Sequence, residues 1–206
     1  MDSRAYEFTS DWFSHVAATW ERLLEVANPS KVLEIGSYEG RSTCFLVERI
    51  GARRGYDIFC VDAWARNSEH DVEMDRVEKR FDANVALASG QAAKQGRVTK
   101  LKGSSLDVLP GMLAGHKGTF DMVYVDGSHE TPDVLLDAVL GFHLCRPGGL
   151  LIFDDYLWSP DLHARENPLK TPKLAIDAFV NAFRPRLHII EKLPLYQLYL
   201  QKLAGT

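Results

Sequence analysis

Five short apolar runs, each followed by a stretch with helical periodicity, constrain this chain more than any other feature of its sequence. They are KVLEIG (31–36), YDIFCVD (56–62), VTKL (98–101), FDMVYVD (120–126) and GLLIFDD (149–155). Apolar residues fill these runs almost continuously instead of alternating with polar ones, which is the pattern of strands buried on both faces. Strand, helix and strand in repetition therefore predict an α/β fold, a doubly wound parallel sheet with helices on each side. Two further runs, LHIIEK (187–192) and LYQLYLQ (195–201), are separated only by Leu193 and Pro194. That is too little chain for a helical crossover, so they should form an antiparallel hairpin at an edge of what is then a seven-stranded sheet.

The helical segments carry their own start signals. Thr131 and Pro132 suit the N-cap and first position of a helix whose stripe is Val134, Leu135, Ala138, Val139 and Phe142, and Thr171-Pro172 repeats the signal before KLAIDAFVNAF. An amphipathic helix is expected over roughly 10–27, bearing Trp12, Phe13, Val16, Trp20, Leu23 and Leu24, with Asn28-Pro29 ending it. The first 29 residues thus read as a helical extension, with an aromatic face for the sheet or for a second copy in a homo-oligomer. Segments 64–75 and 156–172 lack periodicity and read as lids over a substrate site.

Composition sets limits on partners. A chain of 206 residues, 46% hydrophobic and 25% charged, suits one domain spanning 1–206 with a substantial core. Its net charge of −4 and scattered Lys and Arg argue against nucleic acid. No apolar run reaches the roughly 18 residues of a membrane span, and the start MDSRAYEFTSDWF has no signal-peptide core, so a cytoplasmic protein away from membranes is expected. Cys44, Cys60 and Cys145 sit singly in apolar runs and read as buried reduced thiols.

In an open parallel sheet, ligands bind where the strands' carboxyl ends line up. Glu34 and Gly36 lie at the end of the first run, Asp62 closes the second, Asp126 the fourth, and Asp154 with Asp155 the fifth. A single aspartate there is ordinary turn or cap chemistry. Acids at four of the first five strand ends converge on one crevice. The turn Glu34-Ile-Gly-Ser-Tyr-Glu-Gly40-Arg-Ser42 leads into a helix, where Gly36 and Gly40 allow close backbone approach and Ser37, Tyr38 and Ser42 face a ligand at the helix N-terminus. It lacks both the GxGxxG of dinucleotide folds and the GxxxxGK[ST] phosphate loop. Asp62 is placed to accept from a ribose diol, Ser104 and Ser105 could contact an adenine edge, and Trp64 could pack on the same cofactor.

Taken in order, ExGxxxG, the strand-two Asp62, GSSLDVLP, FDMVYVDGSHE and RPGGLLIFDDY resemble class I S-adenosylmethionine-dependent methyltransferases, over about residues 31–160. VDGSH followed by PGG and FDDY is similar to the metal-dependent small-molecule O-methyltransferases, of the catechol type and closer still to the macrocin type that methylates sugar hydroxyls. The resemblance implies a Rossmann-like sheet, S-adenosylmethionine held by Glu34, Gly36, Asp62 and Ser105, and Mg²⁺ held by Asp126, Asp154 and Asp155. It also implies that His129 is the general base. Three carboxylates agree with a hard divalent cation. Because successive strand residues face opposite ways, Asp154 and Asp155 can share one ion only if the chain turns between or just after them.

The expected activity is Mg²⁺-dependent methyl transfer to a hydroxyl of a small molecule, a natural-product sugar or a phenol. Asp126 and His129 would be the catalytic residues, the histidine accepting the hydroxyl proton. A metal-independent O- or N-methyltransferase and a noncatalytic cofactor-binding subunit are the alternatives. His70 and His163 read as surface residues and His143 as structural.

Overall fold

The computed structural model describes residues 5–65, 73–159 and 167–204. Seven strands form one sheet: β1 (Lys31–Ile35), β2 (Asp57–Asp62), β3 (Arg97–Lys102), β4 (Phe120–Val125), β5 (Cys145–Phe153), β6 (Leu187–Ile189) and β7 (Leu198–Lys202). Their spatial order is β3-β2-β1-β4-β5-β7-β6. The first five are parallel, and β7 pairs antiparallel with both β5 and β6. The expected edge hairpin is therefore present, with its second strand inserted next to the sheet and its first on the rim. Strand order reverses between β1 and β4, so their carboxyl ends open the crevice in which doubly wound sheets bind ligands.

Helices α1 (Ala17–Ala27), α2 (Arg41–Gly51), α3 (Met74–Gln91), α4 (Ser105–His116), α5 (Thr131–Leu144) and α6 (Pro172–Phe183) cover the two faces. Two apolar clusters result. One joins α1, α2 and α3 to a face of the sheet through Trp20, Val47 and Phe81, and the other joins α4, α5 and α6 to the opposite face through Leu109, Phe142 and Phe179. Strand residues divide between them by alternation: Val32 lies in the first cluster and Leu33 in the second. The three cysteines are buried free thiols. Among the described residues no helix is long and apolar enough to cross a membrane.

Some boundaries differ from expectation. Helix α1 begins at Ala17, not near residue 10, because Asp11 accepts the Ser14 N–H at 2.9 Å and closes a local turn that competes with helix. Thr131 is the first residue of α5 instead of its cap; its hydroxyl contacts the carbonyls of Pro168 and Thr171, tying α5 to the approach to α6. Pro172 does open α6. Of the expected lids, 66–72 and 160–166, with His70 and His163, lie outside the described residues.

At the opposite edge of the sheet, Asp121 fastens β4 to the start of β1. It accepts from the Ser30 and Lys31 backbone N–H groups at 2.7 and 2.8 Å and from Arg146 Nε at 2.7 Å. Burial alone would raise this carboxyl, but Arg146 and the two backbone donors outweigh it and bring it down to about 2. A carboxylate held below its unfolded value contributes stability above about pH 4 that is lost as pH falls toward 2. Asp121→Asn should lower stability by about 1–2 kcal/mol at neutral pH, discounted for solvent screening. The variant and the parent should converge in denaturant melts only as pH approaches 2, and a pH-independent difference would refute the assignment.

Candidate active site

Along the carboxyl edge of β1–β5 runs a cavity of about 1040 Å³, large enough for a nucleoside-sized cofactor and a small acceptor together. At one end it is walled by Gly103, Ser104, Ser105 and Leu106; at the other by His129, Asp154, Asp155, Trp158 and Tyr196. Gly36, Ser37, Tyr38, Ser42, Asp62 and Asp126 lie between. Most of the predicted site residues are thus brought to one cavity.

Three are placed elsewhere. Glu34 is fully buried beneath the turn, where it accepts from Ser37 Oγ at 2.9 Å and Ser42 Oγ at 2.5 Å, and also from Thr43 Oγ1. Burial raises its pKa and the hydroxyl donors oppose the rise, so this side chain stitches β1 to the turn and to α2. Gly40, at φ +81°, caps α2 at a point where a Cβ would lie 3.0 Å from the Phe81 ring. Trp64 is buried, packs at a tilt against Phe81 with ring centroids 4.8 Å apart, and donates from Nε1 to the Tyr38 carbonyl at 2.9 Å. These residues hold the turn from behind and do not line the cavity.

The turn's shape comes from Gly36 and Asp62. Gly36 has φ +85°, and a Cβ on it would lie 1.8 Å from the Asp126 carbonyl oxygen. Asp62 accepts the Ser37 and Tyr38 N–H groups, both at 2.9 Å, through Oδ2 and the Trp64 N–H at 2.7 Å through Oδ1. A carboxylate has about four acceptor sites, so Asp62 keeps capacity for a further donor in the cavity. Ser104 caps α4, exchanging bonds with Asp107 at 3.2 and 2.6 Å. Tyr38, Trp64 and Asp155 all adopt left-handed backbone conformations, at φ +46°, +40° and +53°. Such strain gathers where surrounding structure fixes a functional geometry.

At the β5 end the chain turns at Asp155, as sharing of one site by the two aspartates requires, and both face the cavity. Tyr124, two residues before Asp126 on β4, points its hydroxyl at Asp126 Oδ2, 2.8 Å away, and at Asp154 Oδ2. Gln197 Nε2 donates to the same Asp154 oxygen at 2.7 Å. One tyrosyl proton cannot serve two carboxylates at once. Accordingly, burial and then the charges of Asp154 and Asp155 push Asp126 well above its ordinary pKa, and burial with Asp155 raises Asp154. Negative charge in this pocket is therefore costly unless a proton or a cation offsets it. Asp155 instead pairs with His129, Oδ2 to Nε2 at 2.8 Å, while its Oδ1 accepts from the Tyr196 hydroxyl. Trp158 stacks on the imidazole at 4.1 Å.

Among the described residues, no group of three His, Cys, Asp or Glu side chains is arranged to hold a metal ion. The donor set matches a hard divalent cation in kind, being all carboxylate oxygen, while each carboxylate has donors of its own.

Sequence reasoning missed part of the wall. Residues 8–15 cross the cavity as a strap and contribute Phe8, Asp11, Trp12 and His15. The strap is latched to the turn between β1 and α2: Glu39 accepts the Thr9 N–H at 2.6 Å and Oγ1 at 2.8 Å, and pairs with Arg80 at 2.9 Å. Arg41 lies over the Phe8 ring and donates to the Ser10 carbonyl at 3.2 Å. Tyr196 and Gln197 were hidden in a run read as strand. Tyr124 carried a signal, since a tyrosine two residues before a strand-end aspartate shares its face.

A methyltransferase-domain family model matches residues 33–156, more than half of the chain. This protein belongs to that methyltransferase family. The matched span runs from β1 to the residue after Asp155, so it contains the turn, Asp62, Ser105, Asp126, His129 and both terminal aspartates. Among solved structures, this methyltransferase is similar to the O-methyltransferase TomG of Streptomyces achromogenes, involved in tomaymycin synthesis and bound to S-adenosylmethionine (TM-score 0.66, 16% identity, 94% of this chain and 82% of that one). It is likewise similar to the Bacillus cereus O-methyltransferase in complex with S-adenosylhomocysteine (TM-score 0.66, 18% identity, 95% and 84%). Identities this low establish the shared fold. The uncharacterized protein R132 of Acanthamoeba polyphaga mimivirus is 25% identical over 142 residues, 66% of this chain, and the match spans 58% of that relative's length.

Proposed function

We propose that this methyltransferase uses S-adenosylmethionine to methylate a hydroxyl of a small molecule, a phenol or a natural-product sugar. The observation that carries the reading is the single cavity that joins a nucleoside-sized end at Ser104 and Ser105 to an end where the His129–Asp155 pair faces the acceptor. Attack on a sulfonium methyl group needs an oxygen held in line and relieved of its proton. Asp155 holds one imidazole nitrogen, which orients His129 and stabilises the positive charge it gains on accepting that proton. Tyr196 fixes Asp155 from the other side, and Trp158 keeps water from the imidazole face.

A divalent cation such as Mg²⁺ forms part of the proposal, with Asp126, Asp154 and Asp155 as the residues that would hold it. Support comes from the mutual repulsion of these buried carboxylates. When bound, such an ion supplies a lower pKa for the hydroxyl it binds. A second reading, without metal, is favoured by Tyr124, whose hydroxyl already spans Asp126 and Asp154. Turnover of a catechol and sugar-hydroxyl panel with labelled S-adenosylmethionine tests the activity, and EDTA with Mg²⁺ add-back separates the readings. Activity lost on chelation and restored by Mg²⁺ is expected. Full activity after stripping would leave the His129–Asp155 pair acting alone, and absence of methyl transfer with S-adenosylhomocysteine still bound would indicate a noncatalytic subunit.

A further inference from the structure

Gln197 lies just before β7 with 1% exposure and does not line the cavity. Its bonding partners Trp20 and Tyr199 belong to the apolar cluster that joins α1 to the sheet. A methionine would fill such a place with no polar atom to satisfy, so a buried amide there calls for an explanation. Two donors converge on its oxygen, the Trp20 indole Nε1 at 2.8 Å and the Tyr199 hydroxyl at 2.7 Å. An indole N–H donates and never accepts, so the oxygen end of the amide faces Trp20 and the NH₂ end faces away. There Nε2 meets Asp154 Oδ2 at 2.7 Å. The other Asp154 oxygen accepts the Asp155 N–H at 2.8 Å, so this carboxyl is held at both oxygens. Tyr124 alone could not hold it, because its single proton lies between Asp126 and Asp154. Among the described residues, the Gln197 N–H is the side-chain donor that Asp154 does not share.

We propose that Gln197 is a positioning residue for the acidic end of the cavity: with its oxygen pinned by Trp20 and Tyr199, its N–H fixes the Asp154 carboxyl and leaves the Tyr124 proton to Asp126. Asp126 and Asp154 are thereby presented to a divalent cation in one fixed arrangement. The inference rests on the metal-dependent reading of this end of the cavity. Gln197 acts through Asp154, from behind the wall that Asp154 forms. Groups that hydrogen-bond a metal-binding carboxylate set its orientation, and their loss is felt in the affinity for the metal.

The test is Mn²⁺ binding to the intact protein, followed by calorimetry and by the electron paramagnetic resonance spectrum of the bound ion; Mn²⁺ takes the same oxygen ligands as Mg²⁺. Gln197→Met fills the volume but withdraws the N–H, and should weaken Mn²⁺ binding about 10- to 100-fold. Gln197→Asn keeps the amide but is too short to span from Trp20 to Asp154, and should also weaken it. At saturating Mn²⁺ both spectra should be broader than the parent's, as Asp154 takes up more than one orientation. Affinity for S-adenosylhomocysteine should stay within about twofold, which verifies that the variants are folded. Phe179→Leu, in the cluster on the opposite face, is the control for stability: it should lower the melting temperature and leave Mn²⁺ binding and its spectrum unchanged. Parental Mn²⁺ affinity and spectrum in Gln197→Met and Gln197→Asn, or an equal Mn²⁺ loss in Phe179→Leu, would overturn the role of Gln197. A parent that binds S-adenosylhomocysteine but no Mn²⁺ would overturn the metal-dependent reading, and this inference with it.

Discussion

Alanine at Gly36 is expected to abolish cofactor binding and to destabilise the protein by several kcal/mol, the largest effect of a single added methyl group among the described glycines. Two causes add. The left-handed φ of +85° costs an alanine about 1–2 kcal/mol. The heavier cause is contact, since the new Cβ would lie 1.8 Å from the Asp126 carbonyl oxygen and 2.7 Å from the Gly127 α-carbon. Both are backbone atoms, so no rotamer change relieves the overlap. The strand ends of β1 and β4 must separate, and that moves Asp126 and the Ser37–Tyr38 amides together. Gly111→Ala is the matched control: it lies inside α4 with nothing within 4 Å of its Cβ, and should be neutral or stabilising by up to about 1 kcal/mol. Thermal melts and S-adenosylhomocysteine calorimetry check both, and a Gly36→Ala protein that melts and binds like the parent would show that this approach is not required.

His129→Ala should reduce turnover by about 10²- to 10⁴-fold while leaving S-adenosylhomocysteine affinity within about twofold. The side chain stands at the acceptor end of the cavity, paired with Asp155 and stacked on Trp158, away from the turn that would receive the cofactor. Asp155→Asn should fall between the two, because an amide holds the ring in place but does not stabilise a developing imidazolium charge. Single-turnover assays at saturating cofactor would measure these losses separately from binding. Parental turnover in His129→Ala would remove the histidine from the proton path.

Strand positions and the acidic edge of the sheet were legible because both are local patterns. An apolar run buried on two faces looks the same in any context, and an aspartate closing it reaches the crevice wherever the sheet is parallel. The requirement for a turn at Asp155 could be stated from pleat geometry alone, and the left-handed Asp155 meets it. What escaped was decided by tertiary contact. Glu34 and Asp62 looked alike as strand-end acids, but three hydroxyl neighbours draw Glu34 beneath the turn while Asp62 stays at the cavity. Residues 8–15 carried an amphipathic pattern, and their nonhelical course depends on Asp11 closing on Ser14 and on Glu39 receiving Thr9. Gln197 sat in a run read as strand, with nothing local to mark the amide that would reach Asp154.

Asn28-Pro29, which ends α1 just before the first strand, would tempt an experimenter to trim the chain there and keep the matched methyltransferase span. Trp20 makes that cut costly. Its indole is completely buried, packs edge-on against Tyr124 at 4.7 Å, and donates at 2.8 Å to the Gln197 amide oxygen whose other end holds Asp154. A chain starting at Pro29 would open a tryptophan-sized hole directly behind the acidic pocket and leave the Gln197 amide oxygen with the Tyr199 hydroxyl, 2.7 Å away, as its one remaining donor among the described residues. For this protein the smallest functional unit is therefore set by an indole 177 residues distant in sequence from the glutamine it holds.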